Sequence, residues 1–284
     1  MNQNKKPDKY SAVWVSHSSM GDFLKCPRAY FLHNVYKDPA TGHKINITSP
    51  AMSLGVVVHE VLEGLIKWPA ESREKQPLLD IFNTEWAKVS GRQGGFTTKE
   101  MEAEYRARGE KMIERVQKNM GPLVNKALKL KDHENNMPPN FYLSEEDNII
   151  LCGKIDWLEY LPATDSVHVI DFKTGKHEEN EDSLQLPIYL LLLNHLQKRP
   201  VTGASYWYLE TDDFLTPKTL PDIKEAKDRV LAVAKEVKLA RQIGSFNCPE
   251  GEGGCFACRP FEKILRGEAE FVGVGGYGQD IYLI

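Results

Sequence analysis

Two aspartates and a lysine lie in a stretch whose sequence is typical of a β-hairpin. Residues 152–176 read CGKIDWLEYLPATDSVHVIDFKTGK, in which the turn formers at 162–165 separate two strand-like runs. A hairpin centred in that turn places Asp156 directly opposite Asp171, with Cβ atoms about 5 Å apart. Lys173 follows Asp171 by two residues, so strand alternation puts its ammonium group on the same face. The sequence therefore predicts a cluster of two carboxylates and one amine.

Facing carboxylates repel one another unless a cation lies between them. Mg²⁺ and Mn²⁺ are hard cations that prefer oxygen ligands, and a nearby lysine can orient water or offset negative charge that develops on a phosphate. In the alternative interpretation both acids face solvent and are screened by Lys154 and Lys173. The metal site is favoured because both acids are expected in mid-strand and because apolar neighbours supply a buried opposite face, namely Ile155, Trp157, Ile170 and Phe172.

Four of the five cysteines could form a second centre. Cys248, Cys255 and Cys258 are spaced C-x6-C-x2-C, and Cys26 lies far upstream. Such a set can bind a tetrahedral zinc ion or an iron–sulfur cluster, and the alternatives are unrelated buried thiols or a zinc-stapled loop. Cys152 is expected to be a core thiol.

The charge balance excludes binding of nucleic acid through general basicity. The 284 residues carry 36 Lys and Arg against 40 Asp and Glu, a net charge of -4. A nucleic-acid site must therefore be a local patch. Residues 1–10 lack the apolar stretch of a signal peptide, and the longest apolar run, 188–193, is too short to cross a bilayer. We expect a cytoplasmic protein that does not contact a membrane.

The elements that would position these groups alternate between helical and strand-like patterns. Ser49-Pro50 predicts the start of the helix that carries His59, since serine caps helices and proline suits their first turn. Helices are predicted at about 16–36 (capped at Ser18 or Ser19), 51–68, 78–89, 98–120, 183–197 and 221–242. Strands are predicted up to residue 15 and at 141–143, 149–161, 167–172 and 204–210, with a polar loop at 38–49 and a Gly- and Cys-rich tail from 244. The pattern predicts an α/β fold with a helical N-terminal half and a mixed central sheet.

Five motifs in this order resemble the RecB-type branch of the PD-(D/E)XK nuclease superfamily. They are C-P-R-x-Y-F-L (26–32), G-x-x-x-H (55–59), G-K-I-D (153–156), D-F-K (171–173) and Q-x-x-x-Y (185–189). The resemblance covers most of the chain, from residue 16 to 258. It implies a restriction-endonuclease-like core in which helices flank the mixed central sheet.

The resemblance also implies roles for the matched residues. His59, Asp156 and Asp171 would bind Mn²⁺ or Mg²⁺ together with the backbone carbonyl of Phe172. Lys173 would be the catalytic lysine. Gln185 and Tyr189 would shape the active site and meet the DNA, and their spacing of four residues puts both on one helix face. Apart from the motif, a lone histidine such as His59 is more often a core residue than a ligand, and Gln185 and Tyr189 could likewise be residues that pack between helix and sheet.

Members of this branch such as the AddAB subunit and the CRISPR-associated exonucleases hold a [4Fe-4S] cluster with one early and three late cysteines. The resemblance therefore implies a structural cluster bound by Cys26, Cys248, Cys255 and Cys258. Relatives commonly have a cysteine at the position of Ile264, for which Cys248 would substitute. A zinc ion or an empty clasp are the alternatives.

The expected protein is a single RecB-like nuclease domain over 1–284, with a helical part at about 16–135, a catalytic core at about 140–245 and a Cys-rich clasp at 246–284. It is expected to be a divalent-metal-dependent DNA nuclease, either an exonuclease or a DNA-end-processing enzyme in repair, recombination or CRISPR adaptation. DNA would be its partner, along with a separate helicase or recombination or adaptation protein. The sequence Thr174-Gly175-Lys176 lacks the earlier glycine of a P-loop, so no ATPase is implied.

Two other functions compete with this hypothesis. The first is a DNA-binding or scaffolding relative that has lost hydrolysis, and the second is an unrelated metal-dependent hydrolase of small phosphoesters. The candidates for contact with a nucleic-acid backbone are Lys25, Arg28, Lys176, Arg259 and Lys263. The candidates for stacking on bases are Tyr30, Phe31 and Trp207, although core packing is favoured at least for Phe31.

Overall fold

The structure is a computed structural model that describes residues 8–130 and 137–284. The helices in these ranges are α1 (His17–Lys25), α2 (Pro27–Tyr30), α3 (Pro50–Gly64), α4 (Ala70–Arg73), α5 (Leu78–Trp86), α6 (Lys99–Lys118), α7 (Gln185–Leu196), α8 (Ile223–Ile243) and α9 (Arg259–Leu265). The strands are β1 (Val13–Val15), β2 (Ile45–Ile47), β3 (Asn140–Ser144), β4 (Ile149–Cys152), β5 (Trp157–Leu161), β6 (Ser166–Lys173), β7 (Val201–Tyr208), β8 (Thr216–Lys218), β9 (Glu270–Val274) and β10 (Asp280–Leu283).

The predicted hairpin forms one half of a four-stranded mixed sheet. The strand order is β5-β6-β7-β8, in which only the β6–β7 pair is parallel. Trp157 pairs with Ile170 and Leu158 with Val169, which is the register predicted from the turn. The ladder begins at Trp157, so Asp156 lies just before β5 and not in mid-strand as expected. The α/β fold and the mixed central sheet are confirmed.

Two small sheets extend this core in ways that the local pattern did not indicate. The order β1-β4-β3 shows that the predicted strand 149–161 is two strands in different sheets, separated at 153–156. Gly153 lies at this break against α7, where a Cβ atom would be 2.9 Å from Leu192. The tail beyond 244 contains α9, β9 and β10, and β10 pairs in parallel with β2 inside the segment predicted to be a polar loop.

Helix starts follow capping chemistry. Ser49 accepts a hydrogen bond from the Met52 N–H at 3.3 Å, and Pro50 is the first residue of α3, as predicted. The predicted cap at Ser18 or Ser19 is wrong. Ser16 has the extended backbone of a cap and exchanges hydrogen bonds with Ser19, so that α1 begins two to three residues earlier than those caps imply.

The central sheet lies between two hydrophobic layers. Its first face, with Trp157, Ile170 and Phe172, packs on α3, α5 and α6. Its second face, with Leu158 and Val169, packs on α7. Asp171 and Lys173 alternate with Phe172 along β6, and they therefore face α7. Among the described residues, no helix has both the length and the apolar character to cross a membrane.

A buried guanidinium group ties the helical layer to the sheet. Arg73 is 4% exposed and donates hydrogen bonds to four backbone carbonyls, those of Leu65, Trp68, Leu123 and Asn125, at 2.7–3.1 Å. Its guanidinium carbon lies 5.0 Å from the ring centroid of Trp157, next to Asp156 in the chain. This arginine therefore holds two segments, 65–68 and 123–125, against the start of β5.

We expect Arg73→Met to lower the free energy of unfolding by about 3 kcal/mol, because the buried carbonyls lose their donor. Urea denaturation would measure the change. Arg106→Met is the matched control, since Arg106 is half-exposed and pairs with Glu110 on the surface of α6. An equal effect of the two substitutions would contradict the role assigned to Arg73.

Candidate active site

The two aspartates of the hairpin occupy different environments. Asp156 accepts a hydrogen bond from the Phe172 backbone N–H through Oδ2 at 2.8 Å, which fixes its side chain against β6. Asp171 is 3% exposed and lies under α7. Lys173 Nζ is 2.8 Å from Asp171 Oδ2, as alternation along the strand predicts. The hairpin thus brings the three predicted residues together.

Helix α7 holds the Asp171 carboxylate through Oδ1. Gln185 Nε2 and the Tyr189 hydroxyl each donate to this oxygen at 2.7 Å, because a spacing of four residues puts both on the same helix face. Oδ2 is buried and accepts no hydrogen bond of regular geometry, although it pairs closely with Lys173. Burial and the nearby Asp156 raise the pKa of Asp171 to about 7 despite Lys173.

Helix α3 adds a histidine and a glutamate to the site. His59 Nδ1 lies 3.1 Å from Glu63 Oε1 and 3.5 Å from Asp156 Oδ1. One potential ligand atom from each of these three residues lies within 4.8 Å of the other two. Burial lowers the pKa of His59, but hydrogen bonds to Asp156 and Glu63 outweigh burial and raise it to about 10. Binding of a cation here must therefore release protons and becomes tighter as the pH rises.

A close approach of α3 to the sheet makes this contact possible. A Cβ atom on Gly55 would lie 3.3 Å from Thr174 Oγ1, directly after β6. Glycine one turn before His59 thus lets the imidazole reach Asp156.

Sequence reasoning missed two acidic residues of the site. Glu63 lies four residues after His59, and that helical spacing was a signal that could have identified it. Glu179 lies between β6 and α7, and its Oε2 accepts from Lys173 Nζ at 3.0 Å. Its segment has no regular pattern, so nothing in the sequence indicated this contact. Burial lowers the pKa of Lys173, but Asp171 and Glu179 outweigh burial and hold the pKa above its usual value.

The four predicted cysteines meet at a second, buried location. Cys26 joins α1 to α2, Cys258 directly precedes α9, and Cys248 and Cys255 lie in the connection after α8. All four sulfur atoms lie within 4.8 Å of one another, and Cys258 Sγ is 3.8 Å from the sulfurs of both Cys248 and Cys255. Cys152 is half-buried elsewhere, with its sulfur 3.5 Å from the Val15 carbonyl oxygen.

Most of the residues predicted to contact DNA are engaged within the protein. Tyr30 and Trp207 are each 1% exposed and belong to the core, so their predicted stacking on bases is wrong. Phe31 stacks on Phe246 with centroids 4.8 Å apart. Three of the predicted cations have carboxylate partners, in the pairs Arg28–Glu262 (2.8 Å), Lys176–Glu210 (4.0 Å) and Arg259–Glu250 (3.9 Å).

Comparison with known families assigns this arrangement to a superfamily. The family model described as "PD-(D/E)XK nuclease superfamily" matches residues 14–261. This range contains every residue of the hairpin site and all four clustered cysteines. The chain belongs to the PD-(D/E)XK nuclease superfamily.

A search of curated proteins finds no significant match. Among solved structures, a "Putative exonuclease" from Eubacterium rectale is similar to this nuclease-superfamily chain over 92% of this chain and 94% of that one. The sequence identity is 15% and the TM-score 0.49.

The donor set of this superfamily member fits a divalent cation. Its atoms are carboxylate oxygens and one imidazole nitrogen, which suit Mg²⁺ and, with the imidazole, Mn²⁺. The buried Asp171 Oδ2 accepts no hydrogen bond of regular geometry from the described residues, so it could bind a cation in addition to its ion pair with Lys173. Glu63 competes with Asp171 for a place in the ligand set, since its oxygen is already grouped with His59 and Asp156.

We expect Glu63→Gln to weaken Mn²⁺ binding about ten- to a hundredfold, because the site loses either a charged ligand or the partner that orients His59. Isothermal titration of the protein with Mn²⁺, without nucleic acid, would measure this change. Glu60→Gln is the control, since Glu60 is exposed on the same helix. If Glu63→Gln bound Mn²⁺ as tightly as the wild type, Glu63 would not be part of the cation site.

Proposed function

We propose that this chain is a divalent-metal-dependent nuclease that hydrolyses DNA phosphodiester bonds, as an exonuclease or DNA-end-processing enzyme. The observation that carries the proposal is the buried Asp171 carboxylate, whose Oδ2 lies 2.8 Å from the Lys173 ammonium and near the His59–Glu63–Asp156 group, in a chain of a nuclease superfamily. A cation bound there would supply positive charge against the negative charge that develops on phosphate.

The proposed ligands are His59, Asp156 and Asp171, with the Phe172 carbonyl, and Glu63 is added from the geometry. The Phe172 N–H donates to Asp156, which supports a fixed orientation of that carboxylate before any cation binds. Gln185 and Tyr189 hold Asp171 through Oδ1 and leave Oδ2 for the cation. A site prepared in this way loses little free energy to reorganisation when the substrate arrives.

Lys173 is proposed to act on the water or on the scissile phosphate. Its amine is charged, because Asp171 and Glu179 keep its pKa high. Gln185 Oε1 at 2.5 Å and the Tyr206 ring, 4.7 Å from the amine to the centroid, hold its position. A charged, fixed amine beside the carboxylates suits the stabilisation of a developing anion better than proton abstraction.

The nuclease proposal predicts that Asp171→Ala and Lys173→Ala each lower the rate of Mn²⁺- or Mg²⁺-dependent DNA cleavage at least a hundredfold. End-labelled single- and double-stranded DNA would reveal cleavage and its polarity, with EDTA as the metal control. Lys198→Ala, an exposed residue after α7, should cleave like the wild type. Activity that survives both substitutions would contradict the site. An inactive wild type that still binds DNA would favour the non-catalytic relative.

We propose further that the cysteines hold one tetrahedral metal ion with a structural role, and that the ion is zinc. A single ion with Zn–S bonds of about 2.3 Å holds its four sulfurs about 3.8 Å apart. A [4Fe-4S] cluster binds each thiolate to a different iron, which separates the sulfurs by roughly 6 Å. The separations of 3.8 Å, and of at most 4.8 Å over the set, support zinc over the cluster that the resemblance implies.

Metal analysis of the protein purified without oxygen should find about one zinc ion per chain and no visible absorption from iron–sulfur chemistry. Cys258→Ser should lose the zinc and lower the melting temperature. Cys152→Ser should retain zinc, because Cys152 lies outside the set. Iron and inorganic sulfide at about four each per chain would overturn the assignment in favour of the cluster.

A further inference from the structure

Three basic side chains from different elements converge on one surface of the protein. Lys37 follows the π-helical turn Phe31–Val35, Lys44 directly precedes β2, and Arg241 lies in the last turn of α8. Burial, followed by the charges of Arg241 and Lys37, lowers the pKa of Lys44, so the three groups act on one another. Bringing like charges together costs free energy unless an anion compensates them.

The protein itself does not supply that anion. Within 8–130 and 137–284, no carboxylate oxygen lies within 4 Å of the charged atoms of Lys37, Lys44 or Arg241. Of the neighbouring acids, Asp22 pairs with His33 and Asp280 with His43, each at 2.8 Å, and Asp38 accepts a hydrogen bond from the Ala40 N–H at 2.7 Å. The three cations are also exposed, so a ligand from solution can reach them.

The cations line two adjoining cavities. Asn34, Lys37 and Lys44 border both, with volumes of about 580 Å³ and 520 Å³, and Arg241 borders the second. An exposed aromatic ring lines each cavity, Tyr277 (93% exposed) in the first and Tyr10 (88% exposed) in the second. Cations beside exposed rings are the usual surface for a nucleic-acid strand, with phosphates on the cations and bases on the rings.

This surface leads toward the candidate active site. Ser18 lines the first cavity and also the next one, of about 570 Å³, whose walls include His17, Glu179 and Ser183. Glu179 contacts Lys173 directly. A strand whose scissile phosphate lies at Lys173 can therefore continue past α1 to the three cations.

We propose that Lys37, Lys44 and Arg241 bind backbone phosphates of the nucleic-acid substrate away from the cleaved bond. The proposal rests on the nuclease function. A chain of net charge -4 can bind nucleic acid only through a local basic patch, and the proposal identifies that patch. Single and double strands both have a phosphodiester backbone that could bind here, so the experiment tests the two forms separately.

The test compares the Lys37→Gln/Lys44→Gln double variant with the wild type by fluorescence anisotropy of labelled single- and double-stranded oligonucleotides. Ca²⁺ replaces Mn²⁺ so that the DNA stays intact. Arg241 is left in place because it lies beside the buried Tyr30. We expect the dissociation constant to rise about tenfold at ~0.1 M salt. The negative slope of the logarithm of the association constant against the logarithm of the salt concentration should become shallower by about 1.4 for a single strand, because two phosphate contacts are lost. The strand form that shows the larger change is the one that occupies the surface.

The control is Lys75→Gln/Lys111→Gln, which removes two exposed lysines without ion-pair partners in the described ranges and away from the cavities. The inference would be overturned if the Lys37/Lys44 variant bound DNA with the affinity and salt slope of the wild type. It would also be overturned if the control variant lost as much affinity as the Lys37/Lys44 variant. Cleavage by the wild type with Mn²⁺ is measured in parallel. If the wild type cleaves DNA but the variant binds DNA as tightly as the wild type, the inference about this surface is wrong and the nuclease function stands. If the wild type binds DNA through these lysines but does not cleave it, the nuclease function is wrong and the inference about this surface stands.

Discussion

The burial of Asp171 next to Asp156 is the constraint on which the candidate site depends. Burial disfavours the charged carboxylate, and a second carboxylate nearby disfavours it further. The surrounding elements compensate in distinct ways: α7 supplies hydrogen bonds to Oδ1, β6 supplies the charge of Lys173, and α3 brings the imidazole of His59 to Asp156. Oδ2 accepts no hydrogen bond of regular geometry from the described residues, and the Lys173 ammonium 2.8 Å away offsets part of the cost of its burial.

The same constraint explains why both faces of the sheet are built so differently. Phe172 faces the helical layer and packs in the larger core, while its two neighbours in β6 are charged and face α7. One strand can carry an apolar residue between two charged ones because alternate side chains point to opposite faces of the sheet. The apolar layer under Phe172 and Trp157, with Arg73 behind it, gives the hairpin a rigid support. Rigidity of this kind keeps two mutually repelling carboxylates in place.

The sequence predicted those parts of the fold and site that depend on local periodicity. The turn at 162–165 determined the hairpin register, and the four-residue spacing of Gln185 and Tyr189 placed both on Asp171. The parallel pairing of Ile45 with Asp280 was not predictable, because three residues of strand carry little pattern and the partner lies far along the chain. Glu179 was missed for a related reason, since only the path of a loop brings it to Lys173.

Helix α1 connects the two centres of the protein. Cys26 ends this helix, with its N–H donating to the Asp22 carbonyl, while His17 at the other end lies 3.3 Å from the Ser183 hydroxyl through Nε2. Ser183 belongs to the segment that carries Glu179, whose N–H donates to the Tyr208 hydroxyl and whose carboxylate holds Lys173. The nine residues of α1 form one continuous hydrogen-bonded helix, which holds its two ends in a fixed relation. A metal ion bound by Cys26 would therefore also restrain the segment that contacts Lys173. The cysteine cluster and the candidate active site are thus connected through the contacts at the two ends of α1.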